Sequence, residues 1–331
     1  MSRLTRMMAA SQAVSLAAME EASRRGRRTA DIDDMLLALS IDSGVAGQVL
    51  RSLGITIDRA RAAVSLQHAQ QLSHVGISAA SDDGRITFHE TAAAFEWSKR
   101  ALELLTRSTQ KGKNGDAAAM LRELLDEPSG LIAEILAHLG TSTDAVRSRL
   151  DDAERIPSHN ANAIDPARRR AASDAFVSAP PSEAWALLSD PRRVPEWDPG
   201  IASITVPEYN GAATGMAWEA RSVTERRHDG KPIRMKPEAV RQQVELTHLE
   251  PDHAIAWRFT YPDAPHSNAR HVRIDLAPAA GGTQLRLTLQ RERRPGTKRR
   301  RIRGFILRPA HRFIVWLQLT QLTAEISRVY R

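Results

Sequence analysis

Five residues in the second half of the chain have side chains suited to holding an apolar molecule. His253, Trp257, Phe259 and Tyr261 alternate along the stretch HAIAWRFTY, and Trp218 lies in an earlier run of the same kind. Because successive side chains of a strand point to opposite faces, these four alternating residues share one face. Aromatic rings with a few polar tips suit an apolar ligand. The same rings would also fill a closed hydrophobic core, and the sequence leaves both interpretations open.

Three polar side chains near this wall are candidates for proton transfer. Tyr261, His253 and Arg273 could assist a reaction as acid or base if they faced inward. Arg273 shares a face with His271 and Asp275, opposite an apolar face, which favours exposure to solvent. No spacing pairs the candidates as acid and base. We therefore predict no catalytic residues and leave open whether the protein is an enzyme.

The segment RERRPGTKRRRIR is the strongest electrostatic feature of the chain. Residues 171–331 hold 25 Lys and Arg against 17 Asp and Glu, whereas residues 1–170 hold 22 of each, so the net charge of +8 belongs to the second half. The run is interpreted as a solvated loop or as a surface for anionic lipid headgroups. Nucleic-acid binding is not expected, because no recognised motif accompanies the charge. The candidate lipid-binding residues are Arg291, Arg293, Arg294, Lys298, Arg299, Arg300, Arg301 and Arg303.

Composition excludes several kinds of chemistry. Cysteine is absent, which excludes disulfides, thiolate metal sites and cysteine nucleophiles and predicts a cytoplasmic location. No G-x-x-x-x-G-K-[ST] motif occurs, so the chain has no phosphate loop for ATP. The histidines have no metal-ligand spacing, and we expect no metal or other cofactor. The first residues lack the apolar core of a signal peptide, and no run approaches the roughly 20 apolar residues of a membrane span.

The second half has the pattern of an antiparallel sheet with a few helices. Runs that alternate with period two follow one another from Ala171, and Gly281-Gly282 suits a hairpin between the last two. The segment PPSEAWALLSDP predicts a short helix with Ser182 as its N-cap. An amphipathic segment over residues 298–330, interrupted at Pro309, ends the chain.

Two of these segments, SAPPSEAWALLSDPRRVPEWDP and PAAGGTQLRLTLQRE, carry a family resemblance. Residues 172–331 resemble the START-like (SRPBCC) superfamily, which includes Bet v 1 and the polyketide cyclase/dehydrase proteins. The resemblance implies an α+β helix-grip fold that holds a lipid, polyketide or other hydrophobic small molecule between sheet and terminal helix. Aromatase/cyclase relatives act on a polyketone chain in that place, so an enzyme or a lipid carrier is the alternative.

The first half contains one unit twice. Residues 35–54, MLLALSIDSGVAGQVLRSLG, return as residues 120–140, MLRELLDEPSGLIAEILAHLG. Each copy predicts a helix, a turn and a second helix that ends at a capping glycine. A further helix before each copy carries a buried stripe, predicted at Val14, Ala17, Ala18 and Ala22 and at Phe95, Ala101, Leu104 and Leu105.

The pieces RLT, MLLAL, VLRSLGI and ILAHLG make residues 3–152 resemble the N-terminal double repeat of Clp-family AAA+ unfoldases, which binds substrates and adaptors. Asp33 and Asp34 stand at the Glu-His positions of the family's Thr-Glu-His triplet, whose Glu is linked to cationic, phosphoarginine-type tags. Ala118 and Ala119 stand there in the second copy, so one acidic site is expected. Phe88 matches an aromatic of the family's peptide-antibiotic groove, or else it staples a helix to the core.

We therefore predict a multidomain protein with an all-α, Clp-N-like repeat pair over residues 1–152, a linker over 153–171 and a helix-grip domain over 172–331. Its predicted function is non-catalytic. The first domain would recognise proteins or peptides as an adaptor or decoy of the Clp protease machinery, and the second would bind a hydrophobic small molecule or lipid. The alternative is a polyketide cyclase/aromatase-like enzyme or a lipid carrier with a regulatory helical domain.

Overall fold

The computed structural model describes residues 3–74, 96–110, 112–155, 164–165, 170–207, 211–224, 236–264, 267–292 and 308–330. The chain divides into two compact units, residues 1–159 and 160–331. The first unit is helical, and the second is an antiparallel sheet with helices. In the described ranges, no helix is long and apolar enough to cross a bilayer.

The described part of the first unit consists of helices and one pair of very short strands. The strands, β1 (Thr29–Ala30) and β2 (Glu96–Trp97), pair in parallel. The helices are α1 (Arg3–Arg24), α2 (Ile32–Ser40), α3 (Val45–Ser52), α4 (Ile57–His74), α5 (Lys99–Ser108), α6 (Ala117–Leu125), α7 (Leu131–His138) and α8 (Thr143–Arg155).

The two sequence copies form the same helix-turn-helix unit, α2 with α3 and α6 with α7. Each unit closes with a Schellman motif around a left-handed glycine, Gly54 at φ 76° and Gly140 at φ 78°. The residue after each glycine donates its N–H to a carbonyl of the preceding helix at 3.0 Å, Ile55 to Leu50 and Thr141 to Leu136. The predicted helix, turn, helix and glycine cap are thus confirmed in both copies.

The core of the helical unit is shared by the two copies. Fully buried side chains from both copies pack into one cluster, so neither helix pair forms a complete hydrophobic core alone. They include Leu36, Leu39 and Leu50 from the first copy and Met120, Leu121, Leu124 and Ile135 from the second.

The second unit is built on an antiparallel sheet with the strand order β3-β4-β10-β9-β8-β7-β6-β5 among the described residues. Seven of these eight strands follow the alternating runs of the sequence. The strands are β3 (Ile164–Asp165), β4 (Arg170–Val177), β5 (Ile201–Thr205), β6 (Ala217–Ser222), β7 (Arg241–Glu250), β8 (Ala254–Thr260), β9 (Ala269–Ala279) and β10 (Gly282–Glu292).

Three α-helices accompany the sheet among the described residues: α9 (Pro181–Ser189), α10 (Val194–Trp197) and α11 (Arg308–Arg328). The last turn of α11 is tied to β4, where Ser327 Oγ donates to the Phe176 carbonyl at 3.0 Å. Helix α11 also packs its buried side chains on the sheet, which is the arrangement of a helix-grip fold. We call the face of the sheet that α11 covers the inner face.

One detail of the helices differs from the sequence prediction. Ser182 is not the N-cap of α9, because Pro181 occupies the first helical position and Pro180 precedes it without a side-chain hydrogen bond. Proline suits that position, since its fixed φ is helical and its missing N–H is not needed there. Pro309, where an interruption was predicted, lies in the first turn of α11, and the residues just before that helix lie outside the described residues.

The inner face is apolar along most of β9 and β10. Buried residues alternate with more exposed ones in both strands, at Val272, Ile274 and Leu276 and at Leu285, Leu287 and Leu289. The hairpin between them requires glycine at Gly282, since a Cβ there would lie 2.1 Å from the Val177 carbonyl oxygen. The predicted Gly281-Gly282 hairpin is therefore confirmed.

Candidate functional site

An aromatic wall lies on the inner face. Trp257 and Phe259 are fully buried on β8. The indole Nε1 of Trp257 donates to the Leu188 carbonyl of α9 at 3.1 Å, which fixes the ring beneath that helix. Trp218 on β6 is only partly buried, and its ring centroid lies 6.0 Å from that of Trp257. Trp218 is therefore the ring of this wall that a ligand can contact without displacing core side chains.

Tyr261 and His253 lie just beyond the two ends of β8. Tyr261 is half-buried at the end where β8 stops. His253 is exposed, and its Nδ1 donates to the Pro251 carbonyl at 2.8 Å. The chain turns at Asp252, whose φ is 59°, and the His253 carbonyl accepts the Leu276 N–H at 2.7 Å, so His253 lies at the last position of the ladder between β8 and β9. The structure thus places His253 away from the other four predicted ligand-binding residues.

A charged pair is built into the same wall. The guanidinium carbon of Arg270, on β9, lies 4.0 Å from the centroid of the Phe259 ring. The fully buried carboxylate of Asp198 accepts from Nη1 at 3.3 Å and also from Nη2, and it accepts the Gly200 N–H at 3.0 Å. The ring and the carboxylate together fix the position of the Arg270 guanidinium. Its Nε is buried and has no hydrogen-bond partner within the described residues.

Arg291 on β10 lies directly opposite Arg270 in the sheet. Its Nη2 donates to Oε1 of Gln318 on α11 at 2.8 Å, so its side chain extends from the inner face toward that helix. Burial and the charge of Arg270 lower the pKa of Arg291, although Tyr261 acts in the opposite direction. Two cations therefore face each other across neighbouring strands beside a half-buried tyrosine.

The buried side-chain amide of Gln242 lies beside these residues on the inner face. Gln243 pairs with Thr260, which puts Gln242 opposite Tyr261 on the inner face. Gln242 is buried, and its Nε2 donates to the Ser222 hydroxyl at 2.6 Å. Its Oε1 has no partner among the described residues. We refer to Arg270, Arg291, Tyr261, Gln242 and Gln318 as the polar cluster.

The polar cluster was largely missed by reasoning from sequence. Arg270 has the same strand parity as Val272 and Ile274, so a charged residue at an inner position was the available signal. Asp198 and Gln318 lie far from β9 and β10 in sequence, and no local pattern indicates their contacts. Arg273 was placed correctly, since it lies on the opposite face with its Nε 2.8 Å from Asp275 Oδ1.

The predicted acidic site of the helical unit is occupied by the chain's own arginines. Asp33 and Asp34, in the first turn of α2, are both buried. Asp33 accepts from Arg25 at 2.8 Å and from Arg27 at 3.1 Å, and His68 Nε2 lies 3.1 Å away. Asp34 accepts from Arg27 at 2.9 Å and from Arg25. A cationic ligand would have to displace these guanidinium groups.

These neighbours shift the pKa values of the two carboxylates in opposite directions. Burial raises the pKa of Asp33, but the hydrogen bond from His68 and the charges of Arg25 and Arg27 outweigh it and hold the pKa well below its usual range. Burial and the neighbouring Asp33 charge raise the pKa of Asp34 to about 6. Asp34 also caps its helix by accepting the Asp31 N–H at 2.8 Å.

The second copy has no such acidic site. Ala118 and Ala119 are buried at the equivalent positions of α6, where Asp116 provides the N-cap by accepting the Ala119 N–H at 3.0 Å. Among the described residues, buried adjacent carboxylates therefore occupy this position of the repeat in the first copy and not in the second.

Several predicted residues lie outside the described residues. Phe88 is one, and so is most of the basic run, of which the structure describes only Arg291 among the basic members. The remaining members outside it are Arg293, Arg294, Lys298, Arg299, Arg300, Arg301 and Arg303. Within the described residues, no group of three or more His, Asp or Glu could hold a metal ion.

Residues 168–315 match a protein-family model. The family is described as polyketide cyclase / dehydrase and lipid transport. The matched residues include all of β4–β10, the strands that form the aromatic wall and the polar cluster. The C-terminal unit therefore carries a polyketide cyclase/dehydrase-like domain. No curated protein matches the chain.

Solved structures with a likeness to the chain cover about half of it. Protein CV1439 from Chromobacterium violaceum is 19% identical, covers 48% of this chain and 96% of its own, and has a TM-score of 0.31. The Polyketide_cyc-like protein Cgl2372 from Corynebacterium glutamicum is 19% identical, covers 48% and 90%, and scores 0.32. Protein Ms6760 from Mycobacterium smegmatis is 14% identical, covers 50% and 94%, and scores 0.34. None of these likenesses supports a functional assignment.

Proposed function

We propose that the C-terminal unit binds a hydrophobic small molecule between the inner face and α11. The observation that carries the proposal is the pair of Trp218 and Trp257. Trp257 is fully buried and fixed to α9, whereas Trp218 is partly exposed beside it at 6.0 Å. A partly exposed indole that continues a buried aromatic wall offers an apolar ligand a large contact area. The family match of residues 168–315 supports the same conclusion.

The polar groups on this face favour binding over proton transfer. Of the three candidates for proton transfer, His253 is exposed in a turn and Arg273 lies on the opposite face, which leaves Tyr261. An arginine stays charged at ordinary pH and offers only donors, so Arg270 and Arg291 can orient a ligand but cannot act as a base. A carrier or sensor of a small molecule therefore fits the described residues better than a cyclase.

The test is a fluorescence titration of the full chain with N-phenyl-1-naphthylamine, an uncharged apolar probe. We expect saturable binding, and Trp218→Ala should weaken it by about tenfold, since the ligand loses an aromatic contact. Leu102→Ala is the matched control, because Leu102 is a 55% exposed apolar residue of the helical unit. Absence of saturable binding, or equal loss in the two variants, would contradict the proposal.

We propose as a second function that the helical unit binds proteins or peptides, in the manner of a Clp-type adaptor or decoy. The specific observation is the buried acid pair Asp33 and Asp34, which already binds two arginine side chains of the same chain. A pocket that accepts two guanidinium groups at about 2.8–3.1 Å can accept those of a cationic peptide once its own are removed.

An arginine-rich peptide with a fluorescent label tests this second function by anisotropy. The double variant Arg25→Gln, Arg27→Gln should bind it more tightly than the wild type, and adding Asp33→Asn should abolish the gain. Circular dichroism at 222 nm checks that α2 stays folded in both. A folded double variant with unchanged peptide affinity would eliminate the acid pair as a peptide site.

A further inference from the structure

The polar cluster contains one cation more than its described partners neutralise. Arg270 is matched by Asp198, whereas Arg291 forms no ion pair with a carboxylate in the described part of the chain and donates to the neutral Gln318. The next residue, Glu292, points to the other face and pairs with Arg258 at 3.0 Å. The local charge at the inner face is therefore positive beside Arg291.

Unused hydrogen-bond groups surround this charge. The Nε of Arg270 and Oε1 of Gln242 are buried without partners among the described residues. Burying such groups is costly unless something binds to them. Arginine has five N–H donors in a planar fork that matches a carboxylate, and Arg291 uses one of them on Gln318. The donors of Arg270 and Arg291 are thus suited to an acceptor with negative charge, whereas Oε1 of Gln242 can only accept a hydrogen bond.

Apolar surface adjoins the charge directly. In the same strand row as Arg270 and Arg291 lie Phe259, Val244 and Trp218, which pair successively across β8, β7 and β6. Phe259 is fully buried beneath Arg270, so a ligand that lies over this row meets the partly exposed Trp218 ring at one end and the Arg291 guanidinium at the other. The row therefore matches a molecule with an apolar body and an acidic end.

We propose that the C-terminal unit selects acidic amphiphiles, binding their carboxylate with Arg291 and their apolar body against the partly exposed Trp218. The proposal rests on the proposed binding function and adds the ligand class. The excess of Lys and Arg in residues 171–331, 25 against 17 Asp and Glu, adds attraction for anions over the whole unit. Gln318 of α11 holds the Arg291 head in place, so it acts as a positioning residue.

The experiment compares cis-parinaric acid, a fluorescent fatty acid, with its methyl ester, which lacks the charge. We expect the acid to bind the wild type about tenfold to a hundredfold more tightly than the ester at neutral pH. Arg291→Gln should remove that difference and leave the affinity for the ester within about twofold. Arg286→Gln is the control, since Arg286 is exposed on the opposite face of the same strand and its loss changes net charge equally.

The outcomes separate the two proposals. Equal binding of acid and ester to the wild type would overturn the selection of acidic amphiphiles while leaving hydrophobic binding intact. Binding of neither probe would instead reject the binding function itself. A matching loss in Arg286→Gln would show that overall charge, and not the Arg291 side chain, attracts the acid, and it would also overturn the inference.

Discussion

Arg291 on β10 lies opposite Arg270 on β9, on the face of the sheet that α11 covers. Two like charges in directly opposed positions destabilise a sheet unless other groups offset them. Asp198 and the Phe259 ring stabilise the Arg270 guanidinium, and Gln318 binds that of Arg291. Arg291 is the less compensated of the two charges, because its described partner is a neutral amide, and this fits a role in binding an anion.

The buried pair of Asp198 and Arg270 is predicted to be essential for the fold of the second unit. Asp198→Asn leaves the buried Arg270 charge unpaired, and we expect a loss of about 3–5 kcal/mol in the free energy of unfolding. Urea denaturation followed by tryptophan fluorescence measures it. Asp263→Asn, which breaks the exposed pair with Arg241, is the control and should change little. Similar losses in the two variants would contradict the structural importance of the buried pair.

Trp257 and Trp218 are predicted to contribute differently to the stability of the second unit. Trp257→Ala removes a fully buried ring and its hydrogen bond to Leu188, and it should lower the free energy of unfolding by about 3–5 kcal/mol. Trp218→Ala should cost less, because that ring is partly exposed. Equilibrium unfolding of the two variants decides the question. If Trp257→Ala kept full stability and lost only ligand affinity, Trp257 would line a cavity instead of the core.

The raised pKa of Asp34 predicts that the stability of the helical unit depends on pH. Its folded pKa of about 6 lies above the ordinary value of 3.8, so the folded state holds an extra proton between these pH values. Stability is therefore expected to rise as the pH falls from about 7 toward 4, by up to about 3 kcal/mol. Below that window the low pKa of Asp33 acts in the opposite direction, because its stabilising charge is lost on protonation.

The measurement is urea denaturation at pH 4.5 and 7, followed by circular dichroism at 222 nm. Asp34→Asn should reduce the difference in stability between the two pH values. The comparison of variant with wild type cancels the contributions of titrating groups that do not interact with Asp34. An unchanged pH difference in Asp34→Asn would show that Asp34 is already ionised throughout this range.

Tyr330 is expected to titrate later than an ordinary tyrosine. Burial raises its pKa to about 12, and its hydroxyl donates to the Glu183 carbonyl at 3.0 Å. Because the raised pKa favours the neutral phenol in the folded state, stability is expected to fall as the pH rises above about 10. Absorbance at 295 nm follows the ionisation of the three tyrosines. Tyr330→Phe should remove the latest step, and its persistence in that variant would refute the assignment.

Local patterns predicted most of the elements but little of the polar cluster. Alternation in HAIAWRFTY and ARHVRIDLAP placed β8 and β9 and separated Trp257 from Arg258 and Val272 from Arg273, because strand periodicity is a property of the backbone. The pairing of Arg270 with Arg291 depends on the register of a hairpin.

Local sequence patterns could not predict contacts between residues that are far apart in the sequence. Asp198 and Arg270 are 72 residues apart, and Arg291 and Gln318 are 27 apart. The arginine partners of Asp33 and Asp34 are only six to nine residues away in sequence, but their contacts depend on the turn between α1 and α2. His253 is exposed because it lies in the turn just before β8, which alternation alone does not indicate.

A crystal structure of the full chain bound to cis-parinaric acid tests the central claim most directly. We predict that the polyene lies between the inner face and α11 against Trp218, with its carboxylate within hydrogen-bond distance of the Arg291 guanidinium. A probe bound to the helical unit, on the outer face of the sheet, or with its carboxylate away from Arg291 would contradict the account.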